Sequence, residues 1–189
     1  MNETAPTSSL DRRTLLALAA AGVTVPGASA AEPQTGYPEP GLAFAFQLDI
    51  SLGPIQELGT VDGMRRRIIP ITGGTFAGPR LRGEVLPGGA DWQGVRPGDG
   101  ITRVSARYWI RASNGDVIGV QNDGIRKAPP AVMRRLMAGE DVAPGDYYFR
   151  TVPLFETGSA AHRWLNETMF VCVGARKPDR AIIRVYEIS

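Results

Sequence analysis

The sequence predicts an all-β protein, a small antiparallel β-barrel that carries one short helix. From Leu42 onward, short apolar segments alternate with polar residues, and glycine-rich turns separate these segments at close spacing. Only Pro129–Gly139 has the apolar spacing and the terminal proline and glycine that are typical of a helix. Several predicted strands, above all Ile101–Ala112, carry sizeable residues on both faces. This favours a barrel, because a closed sheet uses both of its faces.

The N-terminal residues have the features of a secretory signal peptide. Two arginines, Arg12 and Arg13, precede the apolar segment Leu15–Val25, and small residues at 28–30 follow as a cleavage site. Paired arginines mark the twin-arginine pathway, and the apolar segment is shorter than the roughly 20 residues that span a bilayer. We therefore expect a periplasmic or secreted protein with no stable membrane anchor after signal cleavage. The predicted regions are a twin-arginine signal peptide, a linker and one barrel domain, at residues 1–30, 31–41 and 42–189.

Period-two alternation and turn residues define the predicted strands of the first half. Large apolar residues alternate with small or polar ones over Leu42–Ile50, which predicts a strand with one buried face. Pro70 removes a backbone donor from the strand Arg67–Thr72 and places it at a sheet edge or a bulge. The glycine-rich segment Gly73–Pro79 predicts a turn, and Leu81–Leu86 predicts a short strand that ends at a second glycine pair.

The longest alternating segment, Ile101–Ala112, is followed by the strongest turn signal in the chain. One face of this strand carries Thr102, Val104, Ala106, Tyr108 and Ile110. Asn114-Gly115 predicts a hairpin to a second strand, Val117–Asn122, because both turn residues tolerate positive φ. The predicted helix comes next. The remaining predicted strands are Tyr147–Phe155, Leu165–Ala175 and Ala181–Ile188.

Composition excludes several classes of function. The formal net charge is +2 and the longest basic run is Arg65–Arg67, so nothing indicates a nucleic-acid partner. Cys172 and His162 are the only residues of their types, which is too few for zinc, copper, haem or iron–sulfur sites. A carboxylate-rich calcium or magnesium site stays open, although the sequence has no calcium-loop motif. It also has no phosphate-binding or serine-hydrolase motif, and we predict no cofactor and no metal ligand.

Carboxylate, arginine, amide and aromatic side chains are the remaining candidates for chemistry. Asp91 and Trp92 follow a glycine pair, and a carboxyl beside an apolar ring can have a raised pKa that suits proton transfer. A turn aspartate with a core tryptophan explains these two residues equally well. Arg150 and Glu156 share one face of an apolar strand, where a buried charge either serves a ligand or forms a structural ion pair.

Two asparagines stand beside aromatic or hairpin positions. Trp164 and Asn166 share a face of a predicted strand, so a ring wall and a directional donor would stand together. Asn122 belongs to a polar cluster at the end of the predicted hairpin strand. Such a cluster is more typical of a turn than of a binding site.

Ordered motifs along residues 42–188 carry a resemblance to a known family. The motifs are Gly73-Gly-Thr-Phe-Ala-Gly-Pro, Gly83-Glu-Val-Leu-Pro-Gly-Gly-Ala-Asp91-Trp92, Ala106-Arg-Tyr108, Asn122-Asp-Gly124, Tyr148-Phe-Arg-Thr-Val-Pro-x-Phe-Glu156-Thr157 and Trp164-Leu-Asn166. Together they resemble the bacterial and fungal family of unknown function DUF 3237, or UPF 0311. The resemblance implies a small barrel similar in kind to lipocalin-like and allene-oxide-cyclase-like barrels, and it implies no settled activity. The motif positions that become site candidates are Asp91, Trp92, Tyr108, Asn122, Arg150, Glu156, Trp164 and Asn166.

We predict that the barrel lumen binds a small organic ligand and, as an enzyme, catalyses a cofactor-free isomerisation, cyclisation or elimination. Asp91 or Glu156 would be the general acid or base, and Tyr108 and Arg150 would stabilise an oxyanion. The predicted ligand-binding residues are Trp92, Asn122, Trp164 and Asn166. Two alternatives stay open, a binding protein without catalysis and an interaction module that uses the helix or a strand edge. The sequence also allows a homo-oligomer.

Overall fold

The computed structural model describes Met1 and residues 36–189, so the predicted signal peptide beyond Met1 lies outside the described residues. The described strands are β1 (Leu42–Leu52), β2 (Gln56–Val61), β3 (Met64–Ala77), β4 (Arg82–Val85), β5 (Ala90–Val95), β6 (Thr102–Ala112), β7 (Val117–Lys127), β8 (Tyr148–Glu156), β9 (Phe170–Arg176) and β10 (Arg180–Ile188). The described α-helices are α1 (Pro130–Met137) and α2 (Trp164–Glu167). Neither of these helices has the length and apolar character needed to cross a membrane.

Antiparallel pairing closes the sheet into an eight-stranded barrel, which confirms the predicted fold class. Around the barrel, β1 is followed by β10, β9, β8, β7 and β6. The short strands β4 and β5 share the next position, because β4 pairs with the second half of β3 and β5 with the first half. The second half of β3 then returns to β1 and completes the ring. The strand β2 forms a hairpin with the first half of β3.

A pair of glycines lets β3 approach β1 where the barrel closes. Gly73 and Gly74 have φ values of 143° and 137°, which L side chains rarely adopt. A Cβ at Gly74 would lie 2.1 Å from the backbone oxygen of Asp49, so only glycine fits there without moving the strands. The predicted turn at Gly73–Pro79 is therefore wrong. The glycines bend β3 without ending it, and residues up to Ala77 stay paired with β1 and β4.

The β6–β7 hairpin confirms the prediction made from Asn114-Gly115. Its second strand extends beyond Asn122 to Lys127, which brings further residues into the barrel. The predicted strand Leu165–Ala175 is correct only from Phe170, because its first residues form α2. The strands β2 and β5 were not predicted from the sequence. The predicted helix is present as α1, which buries two apolar side chains.

The barrel interior divides into an apolar half and a polar half. Four phenylalanine rings fill the apolar half with centroids 5.1 to 5.8 Å apart, and they belong to Phe46, Phe76, Phe155 and Phe170. Along β7 the inward residues change from Ile118 and Val120 to Asn122 and Arg126, all of them buried. One half of the lumen is thus a solid core, and the other half positions polar groups.

Candidate functional site

A cavity of about 40 Å³ occupies the polar half of the lumen. This volume is room for roughly three water molecules, at about 15 Å³ for each. The cavity is partly open to solvent, so a larger ligand can extend out of it. Its polar lining residues are Asp91, Gln93, Tyr108, Asn122, Arg126, Thr151 and Arg176. Its apolar wall includes Ile50, Ile69, Ile71, Val104, Phe149 and Ile183. The cavity therefore combines a mostly aliphatic wall with convergent polar groups, as small-molecule sites do.

Asp91 is the carboxylate of this cavity, and hydrogen bonds from two neighbours hold it in place. Its Oδ1 accepts a hydrogen bond of 3.0 Å from the backbone N–H of Ser105, and its Oδ2 accepts one from Nε2 of Gln93. Gln93 is oriented in turn by Arg67, whose Nε donates to Oε1 at 2.8 Å. Burial raises the pKa of Asp91, although these hydrogen bonds and the charges of Arg126 and Arg67 act in the opposite direction.

Three arginines from different strands share this end of the lumen. Arg67, Arg126 and Arg176 come from β3, β7 and β9. Burial lowers the pKa of all three, and that of Arg126 falls to about 10 because the charges of Arg67 and Arg176 add to its desolvation. Among the residues that the structure describes, none of the three forms an ion pair within 4.0 Å.

The polar atoms that lack a partner all line the same cavity. In the described part of the chain, the buried side-chain atoms without a hydrogen bond are Oη of Tyr108, Oδ1 of Asn122, Nε of Arg126 and Oγ1 of Thr151. Thr151 has only the weakly hydrogen-bonding thiol of Cys172 beside it. An unsatisfied buried polar group costs about 1–3 kcal/mol. The lumen is therefore built for a polar occupant, which is either water or a ligand.

Replacing Arg126 with methionine is expected to raise the free energy of unfolding of the ligand-free protein by about 1–3 kcal/mol. Methionine fills a similar volume and removes a buried charge that has no ion-pair partner among the described residues. Urea unfolding of both proteins measures the difference, and Arg103→Met on the exposed face of β6 is the control. A loss of stability in Arg126→Met would show that the guanidinium holds the fold together.

Three of the eight predicted site residues meet in the lumen. Asp91, Tyr108 and Asn122 all line the cavity, from β5, β6 and β7 respectively. Tyr108 is almost fully buried, and desolvation raises the pKa of its hydroxyl, so the group stays protonated and can donate a hydrogen bond.

Arg150 and Glu156 do share a face of β8, but it is the outer face, so their predicted place in the lumen is wrong. Nη1 of Arg150 donates to the backbone oxygen of Phe149 at 2.9 Å, and its guanidinium lies 5.1 Å from the ring of Tyr148. Glu156 is exposed. The inward positions of β8 are instead the buried residues Phe149, Thr151, Pro153 and Phe155.

Trp92 also lies outside the lumen, because it alternates with the inward residues Asp91 and Gln93 on β5. Its side chain is 40% exposed. Together with Glu156 it lines an open groove on the outer surface, which shares only Tyr108 with the cavity. The prediction that Trp92 supplies a ring wall inside the barrel is therefore wrong.

Trp164 and Asn166 support the outside of the barrel. The ring of Trp164 packs 5.6 Å from that of Phe170 and carries the guanidinium of Arg80 at 3.8 Å from its centroid. Asn166 donates from Nδ2 to the backbone oxygen of Thr157 at 2.8 Å and accepts from its N–H at 3.0 Å. The predicted shared strand face does not exist, because both residues belong to α2.

Sequence reasoning missed five polar residues of this end of the barrel. They are Arg67, Gln93, Arg126, Thr151 and Arg176. Period-two spacing could have found most of them. Residues an even number of positions apart lie on the same face of a strand. Arg126 therefore shares a face with Asn122, Gln93 with Asp91, and Arg67 with the core residue Ile69.

Comparison with known proteins identifies relatives over almost the whole described chain. The family model described as protein of unknown function (DUF3237) matches residues 40–188. A UPF0311 protein from Clostridium acetobutylicum is 45% identical over 125 residues, which cover 66% of this chain and 78% of that protein. A solved structure of a conserved protein of unknown function from Rhodopseudomonas palustris is 38% identical with a TM-score of 0.76. It covers 81% of this chain and 99% of that one.

One relative has a named activity. The hydroalkoxylation enzyme phnH from Penicillium herquei is 30% identical over 152 residues, which cover 80% of this chain and 81% of that protein. The region that the family model matches includes all the motifs between Gly73 and Asn166 that carry the resemblance. The chain belongs to the DUF3237 family.

Proposed function

We propose that the polar half of the lumen is an active site for cofactor-free proton transfer on a small organic molecule, with Asp91 as the general base. The observation that carries the proposal is the convergence of this carboxylate and four unpartnered polar atoms on one cavity. Catalytic groups are often buried groups with a perturbed pKa that lie in a cleft beside unused donors. The rest of the interior is an apolar core.

Asp91 has the properties that a general base needs. Burial raises its pKa toward the operating pH, which improves a carboxylate as a proton acceptor. The hydrogen bonds from Gln93 and Ser105 fix its orientation, and the residue keeps partial exposure within the cavity. Since Glu156 lies outside, a single carboxylate both takes the proton and returns it.

Neighbouring groups can stabilise the charge that this step creates. When Asp91 removes a proton from a substrate hydroxyl or acidic C–H group, negative charge develops on a substrate oxygen. The protonated hydroxyl of Tyr108 and the free Nε of Arg126 are donors in the same cavity. Donors that are already in place in a site with little water stabilise an oxyanion strongly. Oδ1 of Asn122 can accept a hydrogen bond from a second polar group of the substrate.

The named activity of the fungal relative supports this reaction class. Hydroalkoxylation adds the O–H bond of an alcohol across a carbon–carbon double bond. The oxygen loses its proton, a C–O bond replaces the C=C π bond, and carbon gains a proton. No electrons leave the substrate, so a positioned acid–base group and oxyanion donors suffice. We therefore include intramolecular addition of O–H to an alkene among the cyclisations proposed for this lumen.

Turnover can be tested with ortho-allylphenol in deuterium oxide. Cyclisation to a ring ether would place one deuterium on carbon, which mass spectrometry detects. We expect the full-length protein to form the labelled ether and boiled protein to form none. A probe that binds and is recovered unlabelled would favour the alternative function, a binding protein without catalysis.

Export to the periplasm or beyond is the second part of the proposal, and it rests on the sequence alone. Arg12 and Arg13 before the apolar segment Leu15–Val25 are the signal that the twin-arginine pathway recognises. Replacing both arginines with lysine is expected to retain the protein in the cytoplasm, as measured by cell fractionation. Unchanged export of the double variant would contradict this pathway.

A further inference from the structure

We infer that the lumen recognises its ligand as an organic anion, a carboxylate or a phenolate on an apolar ring or chain, through the guanidinium of Arg126. This deepens the proposed function by naming the substrate class of the same cavity, and binding itself requires no turnover.

Positive charge exceeds negative charge at this end of the lumen. The guanidinium groups of Arg67, Arg126 and Arg176 lie around the single carboxylate of Asp91. The negative charge of Asp91 raises the pKa of each of these arginines. Two nearby carboxylates outside the cavity are engaged elsewhere. Glu57 pairs with Arg65 at 2.6 Å, and Asp179, whose charge also acts on Arg176, lies 3.7 Å from Arg180. Buried charge without a partner is costly. An anion in the cavity would relieve that cost.

Among the described residues, Arg126 is the arginine of this cluster that has a buried donor without a partner. Nε of Arg67 donates to Gln93, and Nη1 of Arg176 donates to the backbone oxygen of Arg180 at 3.1 Å. Nε of Arg126 has no partner among the described residues, and its guanidinium lies 5.7 Å from the ring of Phe149. A planar guanidinium fork matches the two oxygens of a carboxylate. The geometry therefore assigns the anion to Arg126.

The apolar wall selects an organic anion over an inorganic one. The cavity lining also includes Ile50, Ile69, Ile71, Ile183 and the ring of Phe149. A phosphate or sulfate ion would leave these side chains without an apolar partner, whereas a ring or an alkyl chain would cover them. The ligand class is therefore a molecule with one oxyanion and one apolar part.

Asp91 should take up a proton when such an anion binds, because two negative charges in one small cavity repel each other. The charged and titratable groups that face the site are Arg67 of β3, Asp91 of β5, Tyr108 of β6, Arg126 of β7, Tyr147 before β8, and Cys172 and Arg176 of β9. Of these, Asp91 is the anion with a raised pKa. A bound oxyanion beside protonated Asp91 is also the state that the proposed proton transfer creates.

Titration calorimetry of the full-length protein tests the inference with benzoate, its neutral analogue benzamide, and inorganic phosphate. We expect benzoate to bind about 10-fold or more tightly than benzamide, since a hydrogen bond to a charged group contributes that much. Repeating the titration in buffers of different ionisation enthalpy should reveal proton uptake with benzoate. Asp91→Asn should abolish that uptake and tighten benzoate binding.

Variants of Arg126 provide the second half of the test. Arg126→Met and Arg126→Gln should each weaken benzoate binding about 10-fold or more, while Arg103→Met on the exposed face of β6 should not. The inference is overturned if benzamide binds as well as benzoate, or if phosphate displaces benzoate at equal concentration. It is also overturned if either folded Arg126 variant keeps full affinity. If the protein forms the labelled ether but does not prefer benzoate to benzamide, the proposed proton transfer is upheld and the recognition of an anion is rejected. If it prefers benzoate but forms no labelled ether, the recognition of an anion is upheld and the proton transfer is rejected.

Discussion

Replacing Asp91 with asparagine is expected to lower the rate at which ortho-allylphenol is converted to the deuterium-labelled ether about 100- to 10,000-fold, the usual contribution of a general acid or base. Asparagine keeps an oxygen that can accept from Ser105, yet it cannot take a proton from the substrate. Tyr108 and Arg126 would still hold the substrate. The loss should therefore fall mainly on kcat, which steady-state kinetics measures.

Glu156→Gln is the matched comparison, because it makes the same chemical change on the outer face of the barrel. Its turnover should equal that of the wild-type protein. A large loss in Glu156→Gln, with none in Asp91→Asn, would move the chemistry from the lumen to the outer groove that Glu156 and Trp92 line.

A stability measurement checks that Asp91→Asn acts through its carboxyl group. Burial raises the pKa of Asp91 in the folded state, so ionisation is harder there than in the unfolded chain. The wild-type protein should then lose stability as the pH rises from the unfolded pKa to the raised folded pKa. Asp91→Asn should lack this loss, as urea unfolding across that range would show.

The sequence predicted the strands that alternate clearly and missed those that are short. The predicted face of β6 that carries Tyr108 is the mostly buried one, because its other residues are apolar apart from Thr102, whereas three arginines lie on the opposite face. The short strand β5 has no such alternating run, so a turn explained Asp91 as well as a functional site did. The prediction also ended β7 at Asn122, which left out Arg126.

The even or odd spacing of residues along a strand shows which of them share a face, but it does not show which face points into the barrel. Arg150 and Glu156 are on one face of β8, and both faces of this strand carry large apolar side chains. The decision comes from the partner strands. Inward Phe155 packs against Phe46 and Phe170, whereas outward Leu154 is 53% exposed. Such contacts join residues far apart in the chain, and a single sequence does not show them.

Replacing Gly74 with alanine is expected to lower the free energy of unfolding by about 3 kcal/mol or more. Single substitutions cause losses of this size when they create strong steric or backbone conflicts. The added Cβ would lie 2.1 Å from the backbone oxygen of Asp49, on the strand that closes the barrel. To relieve this contact, β1 and β3 would have to separate at the pair of Ile50 with Gly74.

Gly73→Ala separates the steric cause from backbone strain. Gly73 and Gly74 have nearly equal φ values of 143° and 137°, so alanine is strained to a similar degree at both positions. At Gly73 the nearest atom to an added Cβ is the backbone oxygen of Val85 at 3.7 Å, an ordinary contact. Gly73→Ala should therefore cost only the strain, about 1–3 kcal/mol. Equal losses for the two variants in urea unfolding would show that the close approach of β1 to β3 adds nothing, and the larger loss for Gly74→Ala would place the most sensitive contact of the barrel at its closure.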